Sequence, residues 1–459
     1  MELGDGAILL PAAGTTYLIF WERKWWQCPG KLPPGPMLLQ FLSHILQLKQ
    51  RGFNKLLMKA SLLLANGARW KQLRRFSAST LRNFGMGKKS IEERIQEESQ
   101  YLVEEMGNTK GSPFNPTLAI THSIANVICS IVFGNRFDYK DQKFLNLMGS
   151  INNAFLDMSK TSSMPSQSPI PSADSGPPTG SMRCFRGSCN TYPAHTIGLI
   201  TTTRPYKRVR INQQSLDPSC PRDFIDSFLI RMEEEKQNPQ SEFSTRNLVD
   251  TAIQLFFAGT ETTSSTLRFG LLFLVKYPEV QDKVHEEIDR VIGRTHSPAM
   301  NDRGRMPYTN AVIHEIQRLA NILPFGVPRK VTCDTRFRGY LLPKDTDVCI
   351  ALGIILQDPK YFKDPKSFHP EHFLAEEGHF KKNDSFLPFG TGKRVCLGKS
   401  LALMELFLML TTILQRFTLK SPKEPQEIDL TPKVNGSGIV PPSYELYALP
   451  REEGLHDST

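Results

Sequence analysis

The sequence predicts a mainly α-helical protein with a small β component. Three observations carry this. A long, largely apolar stretch runs over 245–275; amphipathic runs at 278–292 and 307–319 each open on a proline; and the only strand-like pieces, 336–340 and 348–352, are short.

The elements follow from their local chemistry. Residues 66–105 carry helical patterns with many charges. The 245–275 helix has capping candidates in Ser244 and Thr245 and stops before Pro278. Pro278 and Pro307 suit a first helical position, where a missing N–H costs nothing. A strongly apolar helix is expected over 401–417. Residues 159–203 are rich in Ser, Pro, Thr and Gly without a helical or strand period, which reads as a long loop or disordered insert. No repeat at solenoid periods is present.

Composition narrows the function. The chain has 459 residues, 39% hydrophobic and 22% charged, a globular balance. Its net charge of +10 is spread over many segments without a basic tail or basic-aromatic repeat, which argues against nucleic acid and for an acidic partner or membrane surface. Eight unevenly spaced cysteines do not form a disulfide framework and suit a reducing compartment. Cys184 and Cys189 lack a second pair at zinc spacing.

At the N-terminus, residues 7–20 are mostly apolar, with Glu2 and Asp5 before them and Arg23 and Lys24 after. Trp21, Trp25 and Trp26 suit a membrane–water boundary. The run is shorter than the roughly 20 residues that span a bilayer. A short signal anchor, a cleaved signal peptide and an interfacial helix all remain open; the anchor is favoured, because no small-residue cleavage site follows. The expected organisation is an anchor at 1–28 and a catalytic domain at 29–459, joined through the turn-rich GKLPPGP at 30–36.

The chemistry concentrates at Cys396. Residues 389–398 read FGTGKRVCLG: glycines permit a tight backbone, Gly398 opens a helix toward the sulfur, and Lys393 and Arg394 add positive charge. Each favours a thiolate. A phosphate-cradling loop is the rival for GKRVCLGKS at 392–400. It fails because five residues rather than four separate the glycines, and no buried strand precedes it.

The segment resembles the haem-binding loop of the cytochrome P450 family, F-x-x-G-x-R-x-C-x-G, at Phe389, Gly392, Arg394, Cys396 and Gly398. Other matches fall in the family's order. AGTETT, from Ala258 to Thr263, resembles its oxygen-activating stretch; Glu315 and Arg318 form its E-x-x-R; PEHF places His372 where many members carry arginine; Trp70 and Arg74 match the residues that bind a haem propionate, with Arg329 at another propionate position. Alone, E-x-x-R is near worthless, and a buried Glu261 would be costly unless paired. The likeness covers about 66–159 and 208–450 and is greatest to the second numbered family of mammalian microsomal members.

The resemblance implies a P450 fold, incomplete here, and haem b held by Cys396, with Phe389, Arg394, Gly398 and Ala258 around it. It implies insertion of one atom of O2 into a lipophilic xenobiotic, fatty acid or steroid. Thr262 and Glu261 would deliver protons, and Gln254, Phe257, Phe325, Val327 and Ser437 would line the substrate cavity, although ordinary packing explains those five equally well. Electrons would come from NADPH through a membrane-bound flavoprotein reductase at the endoplasmic reticulum, with the catalytic domain facing the cytosol.

Two departures stand out. Only 33 residues separate Pro36 from Trp70, where the family places a strand-rich lobe, and the proline-rich segment at 159–203 cannot form the two helices that roof the cavity. Both look like exon loss with a shifted frame, or an imperfect gene model, a hypothesis that sequencing the transcript tests. A membrane-tethered, poorly haem-loaded variant is therefore the alternative to an active enzyme. A haem-thiolate isomerase or dehydratase is disfavoured by Glu261 and Thr262.

Overall fold

The structure, a computed structural model, describes residues 62, 65–85, 89–160 and 216–451. It divides into two compact units. Of the described residues, Val327–Ile350 form the smaller unit and the rest the larger.

The larger unit is helical. Its elements are α1 (Gly67–Asn83), α2 (Lys89–Gly107), α3 (Thr117–Val132), α4 (Gln142–Lys160), α5 (Phe224–Glu234), α6 (Thr245–Lys276), α7 (Pro278–Val291), α8 (Pro307–Ala320), the short α9 (Leu352–Leu356) and α10 (Lys399–Arg416). The smaller unit holds two antiparallel ladders: β1 (Arg329–Lys330) with β4 (Asp347–Val348), and β2 (Thr335–Phe337) with β3 (Tyr340–Leu342). Two more pairs lie in the larger unit: β5 (Phe417–Lys420) with β8 (Tyr447–Pro450), and β6 (Val434–Asn435) with β7 (Ile439–Val440).

The caps explain the helix ends. Ser244 accepts from the amide of Asn247 at the start of α6, and Asp223 accepts from that of Asp226 at the start of α5. The Glu287 carboxylate of α7 accepts from the amides of Tyr308 and Thr309, at 3.1 and 2.7 Å, capping α8 from outside. Asn321 ends α8 in the left-handed region, φ 42°. Helix α6 is the spine: α3, α8 and α10 pack along it, and α2 lies against α3 and α10. Gly259 lets α3 approach, since a Cβ there would stand 2.6 Å from Cδ1 of Ile128.

Several expectations shift. The strand expected over 336–340 is a hairpin turned by Arg338 and Gly339, both at positive φ. The one expected over 348–352 ends at Val348 and gives way to α9. Helix α4 runs to Lys160, so Ser159 is helical and buried, and the rest of the 159–203 segment lies outside the described residues. So do the expected anchor at 1–28 and the 30–36 hinge. Among the described residues no helix is long and apolar enough to cross a membrane.

Candidate active site

Cys396 sits in the loop between a 3-10 turn at Gly392–Arg394 and the amino end of α10. Gly390 and Gly392 adopt φ of 68° and 72°, a region closed to most side chains. The turn is held by Cys396 N–H donating to the Phe389 carbonyl at 2.9 Å and by Val395 N–H donating to Gly392. The backbone amides of Gly398 and Lys399 are aimed at the sulfur. The side chain is exposed to solvent although protein crowds around it.

One expectation is corrected here. Burial pushes the Cys396 thiol up, and the Gly398 and Lys399 amides with the charges of Arg74 and Lys399 offset only part of it. The cations that act on the sulfur are therefore Arg74 and Lys399, not Lys393 and Arg394. Left alone, Cys396 holds its proton; a coordinated metal ion would displace it.

Arg394 instead lies 3.9 Å over the Trp70 ring and donates to the Ala65 carbonyl at 2.9 Å. Arg74 donates to the Val395 carbonyl at 2.5 Å, tying α1 to the cysteine loop, and has no carboxylate partner among the described residues. Trp70, Arg74 and Arg394 thus form one cationic cluster beside the loop. Gly398 has φ −88°, which any residue adopts, and a Cβ on it would meet nothing within 4 Å. The fold does not need glycine there; the space in front of it stays clear. An open sulfur, a cleared face and a cationic cluster fit an iron porphyrin with acidic side groups.

Helix α6 presents Ala258 and Thr262, one turn apart and both half-buried. The Thr262 hydroxyl donates to the Ala258 carbonyl at 2.7 Å, so its donor is engaged with the helix and its lone pairs face outward. Glu261, 3% exposed, has no hydrogen-bond partner at Oε1. Burial raises its pKa to about 7, with Arg268 pulling the other way.

Glu315, Arg318 and His372 form a closed network. Arg318 makes a two-pronged pair with Glu315, both bonds 2.7 Å and both side chains 0% exposed. It also donates to the carbonyls of Leu356, Pro365 and Ser367. The backbone amide of His369 donates to Glu315. His372 Nδ1 lies 3.1 Å from Glu315, and its Nε2 faces the Lys363 carbonyl. Both ring nitrogens face acceptors, which favours the doubly protonated ring. Burial opposes that charge, but the Glu315 bond and charge outweigh it, raising the pKa. Burial likewise raises Glu315, and the bonds from Arg318 and His372 bring it net below the carboxylate range. E-x-x-R, uninformative by itself, is here a lock joining α8 to 356–372.

Where the resemblance places the substrate cavity, Phe257 packs its ring 6.2 Å from Phe155 of α4, and a Cβ on Gly438 would come 3.1 Å from the same ring. Ser437, beside Gly438, and Phe257 are thus brought to one wall, while Ile439 N–H donates to Ile322 near Phe325. Gln254 is half-buried one turn before Phe257. Arg329 and Val327 belong to the smaller unit, where Arg329 opens β1 opposite Val348. Phe155 and Arg268 were not anticipated. Phe155 carries no motif; Arg268 shows in the sequence only as a charge seven residues after Glu261 inside an apolar helix.

A sequence profile described as Cytochrome P450 matches residues 40–448. Cytochrome P450 2G1 of Rattus norvegicus is 47% identical over 95% of this chain and 96% of its own length. Cytochrome P450 2A4 of Mus musculus is 44% identical over 98% of this chain and 100% of its own, and Cytochrome P450 2C28 of Mesocricetus auratus 50% over 85% and 77%. The alignment with Cytochrome P450 2G1 of Oryctolagus cuniculus runs over 510 positions, so at least 51 of them have no counterpart among the 459 residues here. With the helical fold and the cysteine loop in place, these matches show that the chain belongs to the cytochrome P450 family.

Proposed function

We propose that the chain is a haem-thiolate monooxygenase of lipophilic small molecules, with Cys396 as the residue that would hold the haem iron. The observation that carries this is the open Cys396 sulfur, with two backbone amides aimed at it and a cleared face in front of it. Haem, when bound, supplies the iron at which O2 is reduced, one atom entering the substrate and the other leaving as water. Arg74 and Arg394 would neutralise its propionates, with Trp70 donating its N–H. Phe389 and Gly398 flank the sulfur.

Thr262, through its free lone pairs, would orient a water, and Glu261 would pass protons to it. Raised by burial to about 7, its pKa suits a carboxyl that takes up and gives up a proton near neutral pH. Phe257, Phe325 and Phe155 would supply apolar walls, with Gln254 and Ser437 at the rim. Lys71, Arg75 and Lys393 are exposed cations suited to steering an acidic flavoprotein reductase that draws on NADPH. The endoplasmic reticulum membrane, with the catalytic domain in the cytosol, follows from that partner and the apolar N-terminus.

A second reading, a membrane-tethered and poorly haem-loaded chain, is favoured by the 51 or more positions that relatives have and this chain lacks. One spectrum separates them. Reduced protein under carbon monoxide gives a strongly red-shifted Soret band if the thiolate site is intact, and Cys396→Ala abolishes it. Absence of haem uptake by folded protein supports the second reading.

A further inference from the structure

Along α6, three side chains spaced four and three residues apart share one face: Glu261, Ser265 and Arg268. All are buried, at 3, 0 and 6% exposure, and each carries a polar atom without a hydrogen-bond partner: Glu261 Oε1, Ser265 Oγ and Arg268 Nε. Orphans of this kind recur among the described residues, Thr260 Oγ1 and Glu405 Oε1 among them, and each costs about 1–3 kcal/mol if left so. Three on one stripe, an acceptor, a donor and a hydroxyl that does both, describe a site for something small and polar. We propose that Glu261, Ser265 and Arg268 form one internal water-binding site, and that Arg268 acts through it as the positioning residue for the Glu261 carboxyl.

The geometry supports this. Two turns of helix separate the Cα atoms of Glu261 and Arg268 by roughly 10.5 Å. Helical side chains lean toward the amino end, so Arg268 extends back over Ser265 toward Glu261. What is left between guanidinium and carboxyl suits one or two waters, and the three side chains supply the two to four partners that a buried water needs. Tyr444, in the segment between β7 and β8, donates its hydroxyl to the Arg268 carbonyl at 2.6 Å and fixes that end of the stripe.

The charged surroundings are few. Arg268 on the same helix is the cation that acts on Glu261, and Tyr444 and Glu261 are the groups that act on Arg268. Glu405 of α10 is also buried with an orphan oxygen, but it turns to Thr263 and has no cation beside it. From α3, His122 packs its ring on Tyr139 and Phe144. On α8, Ile316 meets Gly270, and Glu315 and Arg318 are consumed by their own lock.

The inference rests on Glu261 as the proton-delivering acid, and its test does not need turnover. Infrared titration of the full-length protein, with the protonated carboxyl band assigned by its loss in Glu261→Gln, reads the group directly. The wild-type midpoint is expected near the value of about 7. Arg268→Met should move it upward by about one unit or more, because an opposite charge is lost. Arg268→Lys should restore most of the shift, and Ser265→Ala should move it in the same direction by less. A midpoint unmoved in Arg268→Met, or in Ser265→Ala should Arg268→Met not fold, overturns the proposal. The carbon monoxide band is read on the same samples. A missing wild-type band with a moving midpoint contradicts the enzymatic reading alone, and a normal band with a fixed midpoint contradicts the water site alone.

Discussion

Two buried carboxylates in this protein live under opposite rules. Glu315 accepts two bonds from Arg318, one from a backbone amide and one from His372, and its charge is fully answered. Glu261, as deeply buried, has an oxygen with no partner, and its nearest cation lies two turns along the helix. A satisfied buried network locks segments together, whereas an unsatisfied one stores a proton that can be given up. The difference separates a structural lock from the carboxyl proposed here for proton delivery, although both glutamates are single acidic letters in helices.

Breaking the lock should have the largest effect. Arg318→Ala strands the Glu315 charge and three carbonyls and should destabilise by about 3–5 kcal/mol, read as the denaturation midpoint. On the chemical side, Gly259→Ala drives a Cβ onto Ile128 of α3 and should cost about 1–3 kcal/mol, partly relieved by Ile128→Val.

His372 sharpens the comparison through pH. Its folded pKa is raised, so its contribution is fully present below the unfolded value and is lost as pH rises through the folded one. His372→Asn should therefore cost about 1.5 kcal/mol on the acid side of that window and flatten the decline in melting temperature across it. The smallest stability effect belongs to Glu261→Gln. Removing an unpaired charge should change stability by less than about 1 kcal/mol, in either direction, while lowering product formed per NADPH consumed. A Glu261→Gln loss as large as that of Arg318→Ala would erase the distinction.

Much of this was legible in the letters. The cysteine loop was, because positive-φ glycines and a helix opening after the sulfur leave a local signature. So was α6, whose length, cap and closing proline are written in its own segment. The lock was not, since E-x-x-R shows two residues on one helix face and says nothing of the carbonyls of 356–367 that complete it. The thiol's environment was misjudged because burial is a tertiary quantity: Lys393 and Arg394 are neighbours in sequence, but Arg74, 322 residues away, acts on the sulfur. The Phe155 wall depends on α4 meeting the β6–β7 hairpin, a long-range contact no periodicity shows.

The central claim is that one sulfur holds the iron, and iron-edge X-ray absorption on haem-loaded protein tests it directly. A sulfur neighbour is expected in the wild type and in Ala variants of Cys129, Cys220, Cys333 and Cys349, the other cysteines among the described residues. It should vanish in Cys396→Ser. A sulfur shell that persists in Cys396→Ser, or one that is absent from the wild type, would contradict the account.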